Sequence, residues 1–175
     1  KVLIVGDAMI DAYMWGEINR MSPEAPVPVV EINKHENRLG GAANVALNLQ
    51  SLGAEPILCS VIGDDSQGIL FNNLMKDANI TTKSILKIKG RKTTVKSRVI
   101  ADNKHQLRID EEETKNIEHE DGLLKLIYSA ISSVNVIILQ DYNKGVLTPK
   151  IIKQIIQIAN AKKIPTIVDP KKKNF

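Results

Sequence analysis

Short runs of apolar residues alternate along the chain with longer segments in which apolar residues recur every three or four positions. The runs have the length of buried strands and cover Val2–Val5, Pro56–Ile62, Ile85–Ile88, Val136–Leu139 and Thr166–Val168. The longer segments predict helices over 42–52, from an Asp64–Asp65 cap to about Ala78, through Leu123, Leu124, Ile127 and Ile131, and after Thr148-Pro149. Because strands that alternate with helices build parallel sheets covered on both faces, the pattern predicts an α/β fold.

Two segments interrupt this order, and both are polar with alternating β-type residues. Residues 12–36 contain Tyr13-Met14-Trp15 and then an alternation through Val27, Val29 and Glu31. Residues 93–110 have the pattern of a hairpin that turns at Asp102-Asn103. Neither segment is needed to complete the central sheet, so each is either a surface loop or part of a small additional sheet.

A glycine pair, Gly40-Gly41, stands directly before the helix predicted over 42–52. Without Cβ atoms, such a pair lets backbone N–H groups approach a ligand at a helix start. Asn44 falls in the first turn, where its amide reaches toward the same place, and Gly53 ends the helix. The alternative is a tight turn before an ordinary helix, and the pair alone does not decide between the two.

The spacing from Gly40 through Asn44, Ala46 and Gly53 to Gly63 resembles the first signature of the ribokinase-like (PfkB) sugar kinases. The segment Arg20–Val29, with its three prolines, is similar to one typical of the branch that phosphorylates D-glycero-D-manno-heptose 7-phosphate. Three further stretches match that branch in order: Val5–Asp11, Asp141–Leu147 and Asp169–Lys171. The resemblance covers essentially the whole chain.

This resemblance implies a ribokinase-like three-layer α/β/α fold with a mostly parallel sheet and a β-sheet lid from about 12–36 and 93–110. The lid would cover the sugar and join two subunits in a homodimer. The implied reaction moves the γ-phosphoryl of ATP, with Mg²⁺, to the anomeric hydroxyl of heptose 7-phosphate, on the route to ADP-heptose and lipopolysaccharide. The alternatives are a kinase for ribose, fructose phosphate or a nucleoside, and a sugar-binding module without catalysis.

The family places its nucleotide site and catalytic base in a Gly-Ala-Gly-Asp motif, which does not occur in residues 1–175. We therefore expect the chain to be the N-terminal part of a kinase domain, truncated before the nucleotide-binding half. The catalytic base is then expected downstream, and the 175 residues alone are expected to be inactive.

The substrate candidates begin just beyond the first predicted strand, because ligands of such sheets bind at the carboxyl ends of the strands. The family has a sugar-binding aspartate at the position of Asp11, whose carboxylate can accept hydrogen bonds from two hydroxyls. Asp7 is either a second sugar ligand or a turn residue, with the two equally open. Gly40, Gly41 and Asn44 would complete the sugar site.

Cations on the two polar segments are candidates for the substrate phosphate. Lys96 and Arg98 share strand parity and so share a face, and Arg108 lies on the other arm of the hairpin. They either hold the 7-phosphate or guard a solvated strand edge. Arg20, in the branch-specific segment, is a similar case.

Two pairs follow later strands and are candidates for the phosphoryl-transfer edge. Lys144 could neutralise the transferring phosphate, with Asp141 orienting Lys144 or a metal-bound water. The alternative is a local ion pair. Asp169 and Lys171 are interpreted in the same way for the nucleotide.

Composition narrows the class of protein. The net charge is +4, but lysines and arginines are scattered and aromatic residues make up 3%, which disfavours nucleic-acid binding. Cys59 is the single cysteine, so no internal disulfide forms, and no apolar run approaches the ~20 residues of a membrane span. The histidines show no metal-ligand spacing. These features favour a cytoplasmic protein that acts on small anionic substrates and carries no metal site of its own.

Overall fold

Two β-sheets organise residues 1–171, which are the residues that the computed structural model describes. Along the chain the elements are β1 (Val2–Gly6), β2 (Ala8–Met21), β3 (Pro28–Gly41), α1 (Ala42–Ser51), β4 (Pro56–Gly63), α2 (Ser66–Asp77), β5 (Ile85–Ile88), β6 (Val95–Ala101), β7 (Lys104–Glu111), α3 (Glu120–Ile131), β8 (Val136–Gln140), α4 (Pro149–Lys162) and β9 (Thr166–Asp169). Every strand and helix predicted from the periodicity is present, with ends shifted by a few residues.

The main sheet has the strand order β5-β4-β1-β8-β9, and all its neighbouring strands are parallel. Its centre is β1, where Leu3, Ile4 and Val5 are fully buried. Leu3 and Val5 pack with α3 and α4 in one apolar cluster, whereas Ile4 packs with α1 and α2 in another. The predicted three layers are therefore confirmed, with helices on both faces of a parallel sheet.

Local capping explains where the helices begin and end. Asp65 accepts a hydrogen bond from the Gly68 N–H at 2.7 Å at the start of α2, and Thr148 accepts one from the Ile151 N–H at 3.2 Å at the start of α4. Gly53 has φ +84° just after α1, and its N–H donates to the Gln50 carbonyl at 2.9 Å. The predicted caps are thus confirmed.

The second sheet has the order β3-β2-β6-β7 and joins the two polar segments. The two segments pair through β2 and β6, which are parallel from Ile10 opposite Val95 to Gly16 opposite Ala101. The Asp102-Asn103 turn has both residues in the left-handed region, as a two-residue hairpin requires. The strands are longer than predicted: β2 begins at Ala8 and β3 runs to Gly41, because their inner ends are buried in the core of the main domain.

Strand alternation gives the second sheet two different faces. The charged face carries Asp11, Tyr13, Arg38, Lys96 and Arg98, which neighbour one another across three strands. The apolar face carries Ala12, Met14, Val99, Leu107 and Ile109, and Leu107 and Ile109 are 56% and 45% exposed. The Tyr13-Met14-Trp15 run is therefore divided: Tyr13 and Trp15 stack on the charged face, and Met14 lies on the apolar face.

Candidate functional site

Asp7 lies just beyond β1 and is 1% exposed. Its Oδ2 accepts hydrogen bonds from the backbone N–H groups of Tyr142 at 2.8 Å and Lys144 at 3.1 Å, and its Oδ1 accepts one from Val146 at 3.1 Å. Burial raises the pKa of this carboxyl, and the backbone hydrogen bonds only partly offset that rise. These contacts favour the turn interpretation of Asp7 over the sugar ligand, because both oxygens are engaged in holding the loop after β8.

Asp11 is the carboxylate of the charged face, and its side chain is 22% exposed. Its Oδ1 accepts a hydrogen bond from Arg98 Nη1 at 2.7 Å. Its Oδ2 occupies the space that a side chain at Gly40 would need, since a Cβ there would lie 2.4 Å away. Gly40 is thus required by the carboxylate of Asp11.

Gly41 has a different requirement. Its φ is +57°, and a Cβ there would lie 2.4 Å from the backbone oxygen of Asp7. That oxygen accepts a hydrogen bond from the Ala42 N–H at 2.9 Å, which ties the start of α1 to the end of β1. The glycine pair therefore allows the backbone to lie close to the Asp11 carboxylate at Gly40 and to the Asp7 carbonyl at Gly41.

A groove of about 540 Å³ runs from the charged face to α1 and α2. Tyr13 forms part of its wall, with the Arg38 and Arg98 guanidinium carbons 4.9 and 5.1 Å from its ring centroid. The groove is lined by Asp11, Tyr13, Asn37, Arg38, Leu39, Asn44, Leu47, Leu74, Asp77 and Ala78. The structure therefore brings Asp11 and Asn44 into one groove, next to Gly40.

The predicted cations Lys96 and Lys144 meet at one carboxylate that the sequence reasoning missed. Glu112 accepts from Lys144 Nζ at 2.9 Å and from Lys96 Nζ at 3.0 Å. Lys96 also donates to Asp110 at 2.9 Å, and Asp110 pairs with the exposed Arg108 at 2.9 Å. The sequence signal that could have indicated Glu112 is the acidic run 110–113, which follows the hairpin arm opposite Lys96 and Arg98.

Because Lys96 and Arg98 each have a carboxylate partner, the pair is not a ready-made phosphate site. Lys96 lies between Asp110 and Glu112, and Arg98 holds Asp11. The expectation that they lie on one face is met, and both are paired with carboxylates on that face. An unpaired ammonium group in a partly buried position would destabilise the folded state, and the neighbouring carboxylates offset that cost.

At the ends of β8 and β9, Asp141 and Asp169 lie on adjacent strands. The Asp141 N–H donates to the Asp169 carbonyl at 3.0 Å, and Asp141 Oδ1 accepts from the Asn143 N–H at 2.6 Å. Asp169 accepts a hydrogen bond from the Gln140 side chain. Burial and the negative charges of Asp169 and Asp11 raise the pKa of Tyr142, a second residue that the sequence reasoning missed.

Two predicted residues do not join these groups. Arg20 is exposed and lies nine residues beyond Asp11 on β2, which is about 30 Å along a strand. It lies beyond Gly16, where the pairing of β2 with β6 ends, in an exposed part of the second sheet and away from the groove. Lys171 is exposed at the end of the described residues.

Within residues 1–171 no cluster of three or more His, Cys, Asp or Glu side chains is gathered in a way that could hold a metal ion. No helix of these residues is both long and apolar enough to cross a membrane.

The family model of the pfkB family carbohydrate kinases matches residues 1–175. The chain belongs to this family. It is 45% identical over its whole length to the bifunctional protein HldE of Helicobacter acinonychis, and it spans 38% of that protein. The HldE of Campylobacter jejuni subsp. doylei is likewise 45% identical, with 37% of its length covered. The similarity falls in the N-terminal part of these relatives.

Solved structures of pfkB-type kinases share the fold. A possible 1-phosphofructokinase from Thermotoga maritima superimposes with a TM-score of 0.74 and 15% identity, covering 99% of this chain and 55% of that one. Arabidopsis thaliana ribokinase complexed with ribose and ATP gives a TM-score of 0.65 and 16% identity, covering 96% of this chain and 52% of that one. The ribokinase-like fold expected from the sequence is therefore confirmed, and the chain spans about half the length of these two proteins.

Proposed function

We propose that this chain is the sugar-binding part of an ATP-dependent kinase that phosphorylates the anomeric hydroxyl of D-glycero-D-manno-heptose 7-phosphate. The product would be the 1,7-bisphosphate, on the route to ADP-heptose and lipopolysaccharide in the bacterial cytoplasm. The observation that carries the proposal is the identity of about 45% to HldE proteins along the entire chain.

The groove on the charged face supports sugar binding. Asp11 accepts hydrogen bonds from the sugar hydroxyls, and the Asn44 amide completes their recognition from the first turn of α1. Arg98 orients the Asp11 carboxylate through its 2.7 Å contact. A carboxylate and an amide that converge on one groove suit a ligand rich in hydroxyls.

The carboxyl edge of the main sheet is where we place the transferring phosphoryl group. Lys144 would neutralise its charge, as expected for a reaction that depends on positioning and electrostatic stabilisation. Mg²⁺ in such reactions takes one or two carboxylates and fills its other positions with water and phosphate oxygens. Asp141 and Asp169, on neighbouring strand ends, would orient water molecules bound to the Mg²⁺ that arrives with ATP, which supplies the phosphoryl group. The catalytic base is expected outside these residues.

The apolar face of the second sheet supports a homodimer in which two copies cover each other. Leu107 and Ile109 expose large apolar side chains on it, and contiguous exposed apolar surface marks an interaction site. Two-fold pairing of this face would bury it. The contact thus falls on the face of Met14, not on that of Tyr13 and Trp15.

A coupled assay of ADP release by the complete protein that contains this chain tests the proposal. We expect turnover with heptose 7-phosphate, a 1,7-bisphosphate product by phosphorus NMR, and little turnover with ribose, fructose 6-phosphate or a nucleoside. The 175-residue chain assayed in parallel is expected to be inactive. Preferred turnover of another sugar would overturn the substrate assignment. Sugar-dependent turnover by the 175 residues alone would overturn the expectation that the catalytic base lies outside them.

A further inference from the structure

Glu112 follows β7 directly and holds two lysines that come from different parts of the fold. One of its oxygens accepts from Lys144 Nζ at 2.9 Å, in the loop after β8 of the main sheet, and the other accepts from Lys96 Nζ at 3.0 Å, on β6 of the second sheet. One carboxylate therefore ties the charged face of the second sheet to the carboxyl edge of the main sheet.

Lys144 is fixed at both ends by carboxylates. Asp7 accepts a hydrogen bond from its backbone N–H at 3.1 Å, and Glu112 accepts one from its ammonium group. The Lys144 side chain is only 13% exposed. A lysine side chain has four rotatable carbon–carbon bonds, so a second anchor at the ammonium group decides where its charge lies.

These ion pairs differ from ordinary surface pairs, which contribute little to stability. The side chains of Lys96 and Glu112 are 18% and 25% exposed. Burial alone would raise the pKa of Glu112, but the hydrogen bonds from Lys144 and Lys96 outweigh it and hold that pKa below its ordinary value. The carboxylate is therefore charged and engaged at neutral pH.

We propose that Glu112 is a positioning residue that clamps the second sheet over the sugar groove and sets the position of the Lys144 ammonium group. The clamp between the two sheets does not depend on the proposed kinase function, whereas its effect on sugar binding rests on that function. Asp110 cannot replace it, since the contacts of Asp110 are with Lys96 and Arg108, both on the second sheet.

The test compares Glu112→Gln with Glu111→Gln in the complete protein. Both variants remove one negative charge, but Glu111 is exposed and its side chain makes no hydrogen bond or ion pair with any of residues 1–171. Glu112→Asp keeps the charge on a shorter side chain. Amide hydrogen exchange of residues 95–112 and 141–147, measured without substrate, reports on the clamp. Steady-state kinetics with the sugar and with ATP report on positioning.

For Glu112→Gln we expect amide exchange in both segments to speed up about tenfold, from the loss of two charge-assisted contacts. We expect the KM for the sugar to rise about tenfold from the loosened second sheet and kcat to fall about tenfold from the displaced Lys144 ammonium group, with the KM for ATP unchanged and Glu112→Asp intermediate. A variant that is only less stable would lose active molecules, which lowers kcat and leaves KM unchanged. Glu111→Gln should match the wild type.

Unchanged exchange in Glu112→Gln would overturn the clamp. Faster exchange with an unchanged KM for the sugar would overturn the positioning role. If the wild-type protein shows no kinase activity, the proposed function fails, and the exchange measurement still decides whether the clamp exists.

Discussion

Replacing Gly40 with alanine tests whether the Asp11 carboxylate is held in place for a sugar. The new Cβ would lie 2.4 Å from Asp11 Oδ2 and 2.9 Å from Asp11 Cγ, closer than real Cβ atoms approach such neighbours. Gly40 is not in the left-handed region, unlike Gly41, so alanine adds no backbone strain. The carboxylate is the end of a short side chain and must rotate away, which breaks its 2.7 Å contact with Arg98.

The size of the effect follows from the bonds that this rotation removes. Each hydrogen bond to a charged group contributes about 1.5–3 kcal/mol, so the loss of one weakens sugar binding by about 10- to 150-fold. The side chains of Arg98 and Asp11 are 20% and 22% exposed, so the loss of this ion pair also destabilises the fold. Gly40→Ala should therefore lose sugar affinity, and its free energy of unfolding should also fall, because the new Cβ would lie 2.9 Å from the Cγ of the buried Met9.

Calorimetric titration of the complete protein with the sugar phosphate and with ATP provides the measurement. We expect Gly40→Ala and Asp11→Ala to lose similar sugar affinity, with ATP affinity nearly unchanged. The sugar affinity of the double variant should resemble that of Asp11→Ala, because the added methyl weakens sugar binding by displacing the Asp11 carboxylate, whereas its 2.9 Å approach to Met9 Cγ affects stability. Additive losses would refute the steric argument. Normal sugar affinity in a folded Asp11→Ala protein would reduce Asp11 to a structural partner of Arg98.

Three further predictions concern the rest of the site. Met14→Asp should yield monomers by light scattering whereas Tyr13→Asp stays dimeric; the reverse result would assign the contact to the charged face. Gly41→Ala should destabilise the protein by about 1–3 kcal/mol in urea titrations, since φ is +57° and the Asp7 carbonyl blocks the Cβ. Burial opposes ionisation of Asp65, but its hydrogen bonds prevail and lower its pKa. Asp65→Asn should therefore lower the free energy of unfolding at pH 6. The difference from the wild type should shrink below about pH 4, because the carboxyl of the folded wild type then protonates. A difference that does not change with pH would contradict this.

The main domain could be predicted from the sequence because its signals are local. The run Val2–Val5 is buried on both faces, so it appears as an unbroken apolar stretch rather than an alternation. Thr148 and Pro149 mark the start of α4 through a cap and a fixed φ, which depend on neighbours in the chain. Such features can be recognised in the sequence without knowing which residues pack against them.

The second sheet required pairing information that no local pattern holds. The parallel register of β2 and β6 joins residues more than 80 positions apart, from Ile10 opposite Val95 onward. That register decides which residues share the charged face with Asp11, and it places Tyr13 and Met14 on opposite faces. It also sends Arg20 to the far tip, so membership of a distinctive motif was a poor guide to its location. Predicting Asp7 as a loop anchor needed the same long-range information, because its partners lie beyond residue 140.

The pairing of the charged groups also bears on which cation takes a substrate phosphate. Lys96 is 18% exposed and is shared between Asp110 and Glu112, so a phosphate would have to displace partly buried carboxylates to reach it. Arg108 is 61% exposed and, among residues 1–171, pairs only with Asp110, and exchange of such a surface partner costs about 1 kcal/mol or less. Arg108 can also offer a phosphate two parallel N–H groups, which a lysine cannot. We therefore expect Arg108, rather than the more buried Lys96, to bind an incoming phosphate.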